Sequence, residues 1–237
     1  MVFPTTGWNT KLIAFVLALT AVLAWQQFSR AAEEAIAIPQ AALDNQKASG
    51  PLQTAVLSGG CFWGVQGVFE HVTGVRKVVS GYSGGPKSGA SYEAVSTGTT
   101  GHAESVQITF DPAIVSYGEL LQVFFSIAHD PTTLNRQGPD SGTQYRSAIF
   151  YVDDTQKKVA EAYVSQLNTA HAFKRGIVTK IDPLKAFYAA EGYHQDYLVH
   201  NPNDTYILFN DKPKIANLKR ILPNQYSEKP VLLDASM

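Results

Sequence analysis

One cysteine, Cys61, serves the whole 237-residue chain, and no other feature narrows the possible folds as much. A lone thiol can form neither an internal disulfide nor a zinc site built from several thiolates, so a hydrophobic core has to hold the domain together. With 45% hydrophobic and 16% charged residues, the chain has material for one sizeable core. The formal net charge of -1 lacks the positive excess that nucleic-acid binding requires, and that class of partner is set aside.

The N-terminal segment stands apart from this core. LIAFVLALTAVLAW, residues 12–25, is an uncharged apolar run preceded by Lys11, with small residues at Ala24, Ala31 and Ala32. Such a run reads as a signal peptide, and it is shorter than the roughly 20 residues that span a bilayer. Residues 1–31 are therefore expected to be a signal peptide, giving an exported, periplasmic or extracellular protein. The alternative is an uncleaved anchor extended through Gln26 and Phe28, the one route by which this chain would meet a membrane. Residues 32–52, rich in Ala, Gln and Pro without periodicity, read as a linker.

From residue 53 onward short strands alternate with helices. Strands are predicted over 53–57, 75–85, 103–110, 147–153 and 178–182. The clearest is AESVQITF, where Val106, Ile108 and Phe110 recur at period two. Helices are predicted over 61–71, 116–129 and 154–173, the second opened by Ser116 and Glu119 at capping-box spacing. This order predicts an α+β fold: a two-layer sandwich of a mixed sheet with helices on one face. The main domain is placed at 53–210, followed by a C-terminal tail, 211–237, that no pattern assigns.

In VLSGGCFWGVQGVFE the cysteine follows a Gly-Gly turn at the start of a helix. Unpaired N–H groups and the positive end of the helix dipole favour a thiolate there, so the thiol is expected below its free pKa of about 8.5. A small buried hydrophobe is the alternative for such a residue. Glycines on both sides weigh toward chemistry, because they leave the backbone open to close approach.

Five blocks in order, GGCFWG, VFEHVTGVRKVVSGYSGG, SYEAVSTGTTGHAESVQITFDP, HDPTTLNRQGPDSGTQYRSAIFY and AEGYHQDYL, resemble the A-type peptide methionine sulfoxide reductases from about residue 54 to about residue 208. The resemblance implies a core related to ferredoxin-like topology. It also implies reduction of the S epimer of methionine sulfoxide, free or within proteins. Cys61 matches the family's nucleophile, Glu104 its acid, and Tyr92 and Tyr145 the tyrosines whose hydroxyls face the sulfoxide oxygen. Asp140 corresponds to a further carboxylate of the family's site, while Tyr197 and His194 belong to the block bordering its pocket.

These residue types suit the chemistry. A sulfoxide oxygen leaves poorly, so it must be protonated or strongly hydrogen-bonded as the thiolate attacks. A carboxyl among apolar strand residues, as Glu104 is, can keep a proton near neutrality, and neutral phenols donate without adding charge. Phe62 and Trp63 are expected to form the pocket for the substrate's S-methyl group, with Gly60 and Gly64 leaving room for a protein-borne methionine.

Attack would leave Cys61 as a sulfenic acid, which something must reduce. Many relatives carry further cysteines near the C-terminus, and residues 183–237 hold none, so direct recycling by an external thiol is expected. The reductant would be a thioredoxin-like protein, glutathione or dithiothreitol. No bound cofactor and no metal are expected, and the protein should be a monomer. Three rivals stay open: a thiol hydrolase with a histidine base, a metal-binding module, and a redox sensor or peroxidase that reacts with peroxide and ignores sulfoxides.

Overall fold

The structure, a computed structural model, describes residues 35–233, and the export segment or anchor expected over 1–31 lies outside them. Strand β1 (Gln53–Gly59) runs antiparallel to β3 (Ala103–Phe110), which in turn pairs with β2 (Val75–Ser83). On the other side of β1 lies β6 (Ser147–Tyr151), antiparallel to it, and β7 (Lys180–Pro183) continues parallel to β6. With β8 (Phe187–Ala189) on the outer edge of β2, the six strands stand in the order β7-β6-β1-β3-β2-β8.

Alternation along these strands divides the sheet into two faces. Ala55, Leu57, Val106, Ile108, Phe110 and Ile149 belong to the main core, into which α1 (Phe62–Glu70), α3 (Tyr117–Val123) and α4 (Asp154–Thr169) send Val65, Phe69, Leu121 and Tyr163. Val56, Ala103, Ala148 and Phe150 form a small cluster on the opposite face, covered by Leu184 and Phe187. The mixed sheet with helices on one face is thus the predicted two-layer α+β arrangement. A short helix, α2 (Tyr92–Ser96), and a two-residue hairpin, β4 (Arg136–Gln137) with β5 (Asp140–Ser141), were not legible as elements.

The capping box at Ser116 is reciprocal: Glu119 N donates to Ser116 Oγ at 3.2 Å and Ser116 N to Glu119 Oε2 at 2.8 Å. Helix α3 passes into a π-helical turn over Phe124–Ala128 and stops at His129. The His129 ring then packs on Gly59, where a Cβ would lie 3.1 Å from the imidazole.

Two boundaries drawn from sequence are corrected. Residues 35–50 do not behave as a linker but lie against the domain as a strap. Ile36 N donates to Ser126 O at 3.1 Å, Gln122 Nε2 to Ile38 O at 3.0 Å, and Gly118 N to Asp44 Oδ1 at 2.8 Å. Likewise residues 211–233 of the C-terminal tail pack against the domain. They contain α6 (Lys212–Ile221), whose Leu218 is fully buried, and a terminal stretch in which Val231 N donates to Glu70 O at 2.9 Å. The strap is irregular backbone bonded to the domain and has no periodicity for a sequence reading to detect.

Candidate active site

Strand β1 delivers the cysteine. At its end Gly60 takes φ +92°, a left-handed value that favours glycine, and a Cβ there would also meet the Gln137 side chain at 2.6 Å. The turn makes Cys61 the capping residue of α1, half-buried. The next N–H, that of Phe62, donates to Glu104 Oε2 at 3.0 Å and joins the helix start to β3.

Glu104 is 3% exposed, and burial holds its carboxyl up to about 8 despite the Phe62 N–H, with Asp140 adding a further upward push. At neutral pH it keeps its proton and can donate. Cys61 departs from expectation: its thiol is pushed well up, not down. Burial is the largest cause, followed by the charges that Glu104 and Asp211 carry once ionised, against which the Trp63 N–H lowers it. The dipole of one helix is outweighed by burial, and then by carboxyls that three separate segments bring to the same point.

Tyr92 and Tyr145 stand where Glu104 and Cys61 both act on their hydroxyls. Burial raises each above the ordinary phenol value, and both remain neutral donors. Tyr92 is fixed by Glu191, whose carboxylate accepts from Tyr92 N at 3.0 Å and from Tyr82 Oη at 2.9 Å. Asp140, on β5, acts on Glu104 and on Cys61, and accepts a hydrogen bond from Tyr206 Oη.

The aromatic side is built on Trp63. Its indole stacks on Tyr197 at 3.8 Å and 9°, stands edge-on to Tyr206 at 6.0 Å, and donates from Nε1 to His194 Nδ1 at 3.1 Å. An indole N–H only donates, so His194 Nδ1 is the acceptor and the proton sits on Nε2, which is buried without a partner. Burial lowers the His194 pKa in keeping with this neutral form. Phe62 is 1% exposed and packs on Tyr82 and His194, with ring centroids 5.9 and 5.0 Å away.

The glycines beside these aromatics do not leave open space as expected. Gly64 is buried, and a Cβ on it would lie 2.1 Å from Asp211 Oδ1, while Gly60 faces Gln137. Asp211 is fully buried, with its partner Lys214 Nζ 3.7 Å from Oδ1. Burial raises its pKa to about 6 against the lowering pull of Lys214. Asp211, Lys214, Tyr206 and Glu191 are the residues sequence reading missed. Ile215, Leu218 and Leu222, at helical spacing just beyond the Asp-Lys-Pro-Lys run, were the available signal that this segment packs inward.

Residues 53–226 match the family described as peptide methionine sulfoxide reductase. A curated Mesorhizobium japonicum protein, peptide methionine sulfoxide reductase MsrA 2, is 61% identical over 80% of this chain and 97% of its own length. The Synechocystis protein of the same name is 52% identical over 75% of this chain and 81% of its own. Among solved structures, reduced Mxr1 of Saccharomyces cerevisiae superposes with a TM-score of 0.58 at 36% identity, covering 66% of this chain and 90% of that one. Methionine sulfoxide reductase A of Corynebacterium diphtheriae gives 0.55 at 33% identity, covering 73% and 89%.

Proposed function

The chain belongs to the peptide methionine sulfoxide reductase family, whose reaction is the thiol-dependent reduction of methionine S-sulfoxide, and from that premise we propose how its residues divide the work. The observation that carries the assignment is a buried carboxyl, Glu104, that keeps its proton to about pH 8 and bonds the N–H next to the chain's one thiol. Cys61 is the nucleophile and Glu104 the acid.

The Cys61 sulfur forms a bond to the sulfoxide sulfur while Glu104 passes its proton to the sulfoxide oxygen. The Tyr92 and Tyr145 hydroxyls hydrogen-bond that oxygen without adding charge. Collapse moves the oxygen to Cys61 as a sulfenic acid and releases methionine, and the thiol's proton replaces the one Glu104 gave. The substrate sulfur gains two electrons and the Cys61 sulfur loses two. Because Cys61 rests as a thiol, ionisation belongs to the loaded site, where Glu104 is neutral and the oxygen takes up negative charge.

Trp63, with Tyr197 and His194 behind it, forms the wall for the S-methyl group, and Phe62 backs that wall from the core. Asp140 orders the β4–β5 hairpin beside the thiol through Tyr206. Recycling falls to an external thiol, a small one such as glutathione or a thioredoxin-like protein, since Cys61 is the one cysteine in the sequence. We read residues 1–31 as the export segment; the mass of the protein recovered outside the cytosol tests this, and a full-length mass there would favour the anchor.

A single-turnover assay decides the central assignment. Pre-reduced full-chain protein is mixed with each sulfoxide epimer in the absence of reductant. The S epimer should give close to one methionine per enzyme with a trappable sulfenic acid on Cys61, and Cys61→Ser should give none. No methionine from the wild type, with peroxide still oxidising Cys61, would move the protein to the sensor class.

A further inference from the structure

In a chain with one cysteine, the hydroxyl that Cys61 acquires persists until a thiol arrives from outside. Beside the thiol lies a recess that Phe62, Trp63 and His194 do not line. Cys61 opens into it together with Gln137, Asp140, Tyr206, Asn210 and Lys214. Its lining carboxyl is Asp140, held by Tyr206, and the fully buried Asp211 stands behind Lys214, 3.7 Å from its Nζ. Lys214 supplies a cation whose side chain is only 8% exposed. Burying an ammonium is costly, and an apolar side chain would fill the position at lower cost if packing were its whole role.

We propose that Lys214 is a catalytic residue of the recycling step, its ammonium holding the sulfenic oxygen of Cys61 in this recess and stabilising that oxygen as it departs. The inference rests on the reductase reading. The attacking thiol forms a bond to the Cys61 sulfur as the S–O bond breaks. The oxygen leaves as water with its own hydrogen and the proton of the attacking thiol. A second thiol displaces Cys61 as a free thiol and carries away the first as a disulfide, so the two thiols lose the two electrons that the Cys61 sulfur gains. Without the cation, the charged groups acting on a departing oxygen at Cys61 would include Asp140 and Asp211 with nothing to offset them but neutral Gln137, Tyr206 and Asn210, and a donor placed where charge develops acts as an oxyanion hole does.

The test separates the two half-reactions in the full-chain protein. Reduced enzyme is mixed with one equivalent of methionine S-sulfoxide and methionine release is timed. Excess dithiothreitol is then added, and loss of the sulfenic acid is timed by trapping and mass. Lys214→Met should slow the second step at least about tenfold more than the first, and Lys214→Arg, which keeps a cation, should recover most of that loss. Should Lys214→Met not fold with Asp211 left unpaired, the double variant Lys214→Met/Asp211→Leu takes its place under the same expectation. Equal slowing of both steps, an unaffected second step, or a Lys214→Arg enzyme as slow as Lys214→Met would overturn the inference and leave the reductase reading intact. A wild type that releases no methionine in the first mix would overturn both.

Discussion

Replacing Glu104 by Gln tests the acid assignment through stability as well as rate. The native carboxyl titrates at about 8 against an ordinary value of 4.5, so between those limits the unfolded chain gives up a proton that the folded protein keeps. The unfolded state binds fewer protons in that window, and stability conferred by this group therefore falls as pH rises. At about 1.36 kcal/mol per pH unit, the loss between pH 5 and pH 8 comes to about 3 kcal/mol. Gln accepts the Phe62 N–H equally well and has no proton to exchange, so Glu104→Gln should lack this slope. Urea unfolding of both proteins at several pH values gives the contrast, with the variant gaining about 3 kcal/mol on the wild type across the range. Single-turnover methionine release should fall in the wild type above pH 8, where the proton is lost, and should be slow at every pH in the variant. Parallel stability curves would mean that Glu104 is ionised in the native site and cannot be the donor.

Gly64→Ala puts a Cβ 2.1 Å from Asp211 Oδ1 and should cost about 1–3 kcal/mol in urea unfolding, outweighing the gain of about 1 kcal/mol that alanine gives a helix. A variant more stable than the wild type would show that Asp211 yields easily. Trp63→Phe keeps an aromatic face for Tyr197 but removes the N–H that His194 accepts, and kcat/KM should drop roughly tenfold with Cys61 still oxidised by peroxide at the wild-type rate. Undiminished kcat/KM would remove the Trp63–His194 bond from the substrate wall.

Strand β3 was legible because apolar residues recur at every second position, as Val106, Ile108 and Phe110 do, and α3 because its capping box is local. Strand β8 and helix α5 (Tyr197–His200) were not, being three and four residues long and held by partners far away in sequence. The same division runs through the site. Cys61, Glu104, Tyr92, Tyr145 and Asp140 were singled out because their blocks resemble a family, and the structure brings them within reach of one another's charges. Local reasoning put the thiol's pKa shift in the wrong direction, since a helix start is visible in sequence whereas the burial of the thiol, and the carboxyls arriving from β3, β5 and residue 211, are not. Lys214 sits in the tail that the sequence reading left unassigned, and the packing of α6 against α1 turns it inward.

The indole of Trp63 also makes this protein observable by light. Of the chain's three tryptophans, Trp8 and Trp25 precede residue 35, which leaves Trp63 as the sole strong fluorophore between residues 35 and 233. It lies stacked on Tyr197, edge-on to Tyr206, and beside the imidazole of His194. A sulfoxide entering against that ring, or an oxygen added to the neighbouring sulfur, changes the polarity and quenching around one emitter. In a protein relieved of its first thirty-odd residues, the intensity and wavelength of emission would then report the occupancy and oxidation state of the site in real time, with no label attached.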